Sequence, residues 1–83
     1  MEQGEALYYY ARGLAYAATG TTRYAERDMS MALDLDPTNG EFWFEKGKLQ
    51  QAMGLMDAAC SCYNKAYQCG VFEAGELARS ICK

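Results

Sequence analysis

Residues 9–32 read YYARGLAYAATGTTRYAERDMSMA and residues 43–66 read WFEKGKLQQAMGLMDAACSCYNKA, so the second stretch restates the first thirty-four residues later. Gly13 returns as Gly47, Ala18 as Ala52, Gly20 as Gly54, Ala25 as Ala59 and Ala32 as Ala66. Near matches hold the same register: Tyr9 with Trp43, Tyr10 with Phe44 and Arg12 with Lys46. A fixed period of roughly 20 to 50 residues marks stacked supersecondary units and decides the fold ahead of local propensity.

Working outward, each unit reads as two helices joined by a tight turn. Leu7, Tyr10, Leu14 and Ala17 recur at helical spacing, Gly20 supplies a helix-ending residue, and Thr21 or Thr22 is a candidate N-cap. A second helix is predicted from about Thr22 to Leu35, ended by Asp36-Pro37-Thr38-Asn39-Gly40, where Pro37 removes a backbone donor. The second unit repeats the scheme from about Glu41 to Met53, then past Gly54 to Gly70. Asp57 falls in the first turn of its second helix, where a negative charge suits the helix dipole. Val71 to Cys82 reads as a fifth helix, which Gly75 weakens by about 1 kcal/mol relative to alanine. Gly13 and Gly47 carry a similar penalty in mid-helix, and two in register argue for close helix crossings against Ala25 and Ala59, flanked by Met29 and Tyr63.

These residues resemble the tetratricopeptide repeat family, whose pattern is W-x2-L-G-x2-Y, then A-x3-F, then A and P. The second unit matches as Trp43-x2-Lys46-Gly47-x2-Gln50, Ala59-x3-Tyr63 and Ala66, and the first as Tyr9-x2-Arg12-Gly13-x2-Tyr16, Ala25-x3-Met29, Ala32 and Pro37. Arg12 and Lys46 stand where leucine is usual, Gln50 replaces an aromatic, and Val71 takes the proline position. The resemblance covers about residues 6 to 71. It implies an all-α fold of antiparallel helix-turn-helix repeats, a tetratricopeptide-like α-solenoid of about five helices in one domain. Repeat one spans about 6–39, repeat two about 40–73, and a closing helix about 71–83.

Composition narrows the function. A chain of 83 residues buries only about 60% of the surface its unfolded form exposes, so the core must be thin. Hydrophobic residues at 51% against 23% charged mark a chain that folds. With net charge -3 and scattered Lys and Arg, no basic stripe exists to neutralise phosphates, and nucleic acid is not an expected partner. No apolar run approaches the roughly 20 residues that span a bilayer, and Met1-Glu2-Gln3-Gly4-Glu5 lacks the basic and apolar blocks of a secretory signal. A soluble cytoplasmic protein is the expectation, with no membrane partner.

Catalysis has little raw material. The chain has no histidine, no phosphate-cradling glycine loop, and no Ser or Cys spaced to a base. Glu26 with Asp28, and Asp34 with Asp36, read as solvated helix faces, and no enzyme activity or cofactor is expected. Cys60, Cys62, Cys69 and Cys82 all lie in the last third, so bridges would leave the first half unstapled; reduced thiols are expected, with a redox or disulfide role, chiefly at Cys60, as the alternative. Cys62 and Cys69 share a helix face and are expected to pack on the closing helix near Cys82. Cys60 and Cys62 point apart on one helix, and metal binding is not expected.

Binding is the function class that remains. In the repeat family the first helix of each unit lines a concave face, and register carries this over to Tyr10, Leu14, Ala17 and Ala18, then Phe44, Lys48, Gln51 and Ala52. Relatives that clamp an acidic peptide C-terminus use Lys and Asn there; Tyr10 and Leu14 replace the first pair, so that clamp is absent. The resemblance implies an apolar groove with one positive charge at Lys48, binding an extended or hydrophobic segment of a client protein, as an adaptor or chaperone does. Tyr10 and Phe44 could instead pack the two first helices together. Gln51-Ala52-Met53-Gly54 with Asp57-x-Ala59 also resembles the middle repeat of bacterial type III secretion translocator chaperones. The alternative is a structural assembly subunit. Tyr8, Tyr9 and Tyr10 fan through about 200° and cannot all face one core, so Tyr8 and Tyr9, with Phe72 and Leu77, are candidates for self-association into a homodimer or a longer repeat array.

Overall fold

The computed structural model describes residues 3–82. Within them the chain forms five helices, α1 (Gln3–Ala18), α2 (Thr22–Leu35), α3 (Gly40–Ala52), α4 (Met56–Gln68) and α5 (Phe72–Ile81), and no strand. Each helix packs on the next in chain order, an arrangement consistent with a helical repeat. None of the described helices is long and apolar enough to cross a membrane.

Three turns share one mechanism. Gly20, Gly54 and Gly70 adopt φ of 81°, 80° and 105°, the left-handed region in which a β-carbon is strained. Each closes the helix before it with a paired hydrogen-bond motif. Thr21 N–H donates to Tyr16 and Gly20 N–H to Ala17, Leu55 to Gln50 and Gly54 to Gln51, Val71 to Ala66 and Gly70 to Tyr67. The remaining turn is capped by a side chain: Asn39 Oδ1 accepts from Phe42 N–H at 3.2 Å, and Asn39 Nδ2 donates to Asp36. Thr21 occupies the N-cap position of α2 without capping it, because its hydroxyl pairs with that of Thr19.

Both glycines sit at close helix crossings, Gly13 against Met29 and Ala25 as expected, but Gly47 against Tyr63 and Cys62 rather than Ala59. A β-carbon on Gly13 would stand 3.0 Å from Met29 Cε and 3.2 Å from the Ala25 carbonyl; one on Gly47 would stand 2.8 Å from two Tyr63 ring carbons. Ala6, Gly40 and Ala74, again thirty-four apart, are all buried near the starts of α1, α3 and α5, so α5 stands in register as a third first helix. Gly40 is small because Cys69 and Val71 fill the space its side chain would need.

Two apolar clusters make the thin core. One joins Ala6, Ala32, Leu33 and Phe42; the other joins Phe44, Ala59, Tyr63, Ala66, Ala74 and Ala78, and Trp43 packs against both. Phe42, Met29 and Tyr63 are the largest fully buried side chains, each contributing about 1.5–3 kcal/mol through burial. Seven of the buried positions are alanine, which brings helices close and leaves little volume to bury.

The cysteines depart from expectation. Cys60 and Cys82 form a disulfide with Cα atoms 5.5 Å apart, while Cys62 is a buried thiol and Cys69 an exposed one. The bridge forms because α5 folds back antiparallel along α4 and returns its end to the start of that helix. Cys62 turns toward α3, where its thiol donates to Gln50, and does not pack beside Cys82.

Candidate functional site

The apolar stripe Leu7–Tyr10–Leu14–Ala17 is not the face that α1 buries. The buried face carries Ala6 and Gly13, while Leu7 and Leu14 are 53% and 38% exposed and Ala17 is half-buried. Gly13 turns that second face toward α2, because only a glycine lets the two backbones approach. Among the described residues, Leu7 and Leu14 of the stripe are left facing outward.

Tyr10 is the exception. Its ring stacks on Phe42 with centroids 4.6 Å apart, tying α1 to α3. Burial, then the carboxylates of Glu45 and Glu41, push its hydroxyl up to about pKa 12. Phe44 is farther inside. At 9% exposed it lies in the second cluster, tilted against Tyr63 at 5.9 Å, and its ring contributes to the core more than to any groove. Tyr10 and Phe44 therefore stack on other partners, Phe42 and Tyr63, rather than on each other.

The polar groove residues are also engaged. Lys48 is exposed, yet its ammonium pairs with Glu45 at 3.1 Å and lies 4.9 Å from the Phe44 ring. Gln51 accepts the Tyr63 hydroxyl at 2.7 Å. Glu41 and Glu45 lie near Tyr10 and Lys48 pairs with Glu45, so carboxylates stand beside the positive charge expected there. Of the self-association candidates, Tyr8 and Phe72 are 55% and 75% exposed, whereas Tyr9 and Leu77 pack against the two clusters.

Arg12 and Lys46, thirty-four residues apart, each face the next helix in a different way. Arg12 makes a bidentate pair with Asp28, Nε to Oδ2 at 2.8 Å and the second nitrogen to Oδ1 at 2.9 Å. Asp28 is only 4% exposed, so its expected place on a solvated face is wrong. Tyr8 and Tyr9 lie under the guanidinium at 5.2 and 5.6 Å. The equivalent pair in the second unit is Lys46 and Cys62. There burial pushes the thiol up while Lys46 pulls the other way, and Cys62 donates to Gln50 at 3.0 Å, which donates to Glu26 at 3.2 Å. Gln50 thus links α2, α3 and α4.

No protein-family model and no curated protein matches this chain.

Two features were within reach of sequence reasoning. Gly13 meets both Met29 and Asp28, which brings Asp28 within reach of the neighbouring Arg12; and Cys60 and Cys82 lie eleven residues either side of Val71, at the turn between α4 and α5. Among the described residues no group of three or more His, Cys, Asp or Glu is placed to hold a metal.

Proposed function

We propose that this chain is a tetratricopeptide-like protein-interaction module that holds an extended segment of a client protein along the outward stripe of α1 and the adjoining face of α3. The observation that carries the reading is the exposure of Leu7 and Leu14 on one face of α1, two large apolar side chains left open while the alanine and glycine face is packed. A helix buries its apolar face unless that face serves something else. Leu7, Leu14 and Ala17 receive the client's apolar side chains, Tyr10 forms the floor between α1 and α3, and Lys48 and Gln51 border it. Phe42 supports that floor from below, and Phe44 lies in the neighbouring cluster. Glu41 and Glu45 favour a client segment that carries a basic residue beside its apolar anchors. The reading assigns no catalysis.

Selection of random dodecapeptides against the immobilised chain tests this. The selected sequences should pair apolar residues with Lys or Arg and should shift the amide resonances of α1 and α3. Peptides that shift only α4 and α5 would contradict it.

One observation favours self-association as a second reading. Phe72 is 75% exposed and meets Tyr67, itself half exposed, edge to face at 6.0 Å, a pair of large rings open to solvent. Sedimentation equilibrium distinguishes the two, since a dimer abolished by Phe72→Ala would favour assembly.

A further inference from the structure

α5 is held on the molecule by small residues and one covalent bond. Its buried positions are Ala74 and Ala78; Leu77 and Ile81 are only partly covered, and Phe72, its largest side chain, is 75% exposed. Gly75 sits in its middle with the Tyr67 ring in the space a side chain would take, 2.7 Å from where a β-carbon would stand. A helix of 10 residues with an interior glycine does not persist in water without tertiary support. The support includes the bridge from Cys82, just past the end of α5, to Cys60 in α4.

The bridge is also reachable. A cleft of about 350 Å³ between α4 and α5 is lined by Asn64, Tyr67, Gly75, Ala78, Arg79 and Cys82. Asn64 Nδ2 stands 3.6 and 3.9 Å from the two sulfurs, and the Arg79 guanidinium favours an arriving thiolate over a neutral thiol. Neither remaining cysteine resolves the bridge from within. Cys62 is buried on Gln50, and Cys69 lies nine residues beyond Cys60, about 13 Å along the helix.

We propose that the Cys60–Cys82 disulfide is a redox latch: reduction by an external dithiol releases α5 and uncovers the apolar seat of Phe44, Tyr63 and Ala66 beneath it. The reductant's thiolate enters the cleft and attacks Cys82 Sγ. The protein S–S bond breaks, a mixed disulfide forms, and Cys60 leaves as a thiolate that takes a proton. The reductant's second thiol then closes on its own sulfur, freeing Cys82, which takes the second proton. Two electrons and two protons pass to the protein, and the reductant leaves as a cyclic disulfide. This device is independent of the α1 stripe.

Hydrogen exchange read by mass spectrometry, on the whole chain with and without dithiothreitol, tests the latch. Opening a loop of 22 residues relaxes the constraint on α5 on the order of 100-fold. Amides of Phe72–Ile81 should lose protection by about that factor, while α1 and α2 stay within about twofold. The double variant C60S/C82S should match the reduced chain without any reductant. Unchanged protection of α5 after reduction would overturn the proposal. So would equal loss across all five helices, which makes the bridge a general staple, or an intact mass showing four free thiols before reductant is added.

Discussion

The ring of Tyr63 lies across the backbone of Gly47, with two of its carbons 2.8 Å from where a β-carbon would stand and Cys62 Cβ at 3.3 Å. This contact sets the spacing of α3 and α4. Gly47→Ala forces Tyr63 to move within a packed cluster and should cost about 1–3 kcal/mol, and Gly47→Leu should unfold the chain. Gly4 provides the opposite sign, since nothing lies within 4 Å of its added β-carbon; Gly4→Ala should stabilise α1 by about 0.5–1 kcal/mol. Urea midpoints of both variants check the pair.

Arg12 and Asp28 act as a unit. Arg12→Leu strands a carboxylate that is 4% exposed, so melting should fall by roughly 5 °C or more. Arg12→Leu with Asp28→Leu removes both partners and should recover most of that loss. A double variant as unstable as the single one would show that the ion pair is not the source.

Legibility divided along physical lines. Helix ends were readable because a left-handed turn demands glycine, and Gly20, Gly54 and Gly70 stand at all three such turns. Helix crossings were readable because only close approach explains Gly13 and Gly47 in register. The face of α1 was not, because periodicity ranks Leu7 and Leu14 above Ala6 and Gly13, whereas packing favoured the smaller residues. Asp28 and Cys60 depart from their sequence expectation for a related reason: a partner on the next helix outweighs the solvation preference of a single side chain, and pairing emerges only when the hairpin is folded.

Alkaline stability should report on Tyr10. Its folded pKa of about 12 lies above the unfolded value of 10.0, so the native state holds its proton where the unfolded chain has lost it. Stability from this group is complete below pH 10 and is lost as pH rises toward 12. Tyr63 is shifted in the same direction by burial and adds to the fall. Tyr10→Phe should therefore flatten the decline of melting temperature across that window without removing it.

Thiol counting separates the cysteines. Ellman titration of the denatured, unreduced chain should find Cys62 and Cys69 only, and the native chain should react quickly at exposed Cys69 and slowly at buried Cys62. Four reactive thiols would remove the bridge.

The binding stripe is tested most directly at Leu14, which is 38% exposed and can carry a charge without disturbing the core. Leu14→Glu should melt within a few degrees of the parent chain, as surface substitutions change stability by about 0.5 kcal/mol or less. Phe44→Ala, by contrast, should cost about 3–5 kcal/mol of folding stability because that ring is core. The deciding measurement is the affinity of folded Leu14→Glu for a peptide selected against the parent chain, taken by calorimetry on samples whose melting is recorded in parallel. The stripe predicts a loss of at least about tenfold, the effect of placing a charge where an apolar anchor docks. A folded variant that binds the peptide as tightly as the parent would contradict it.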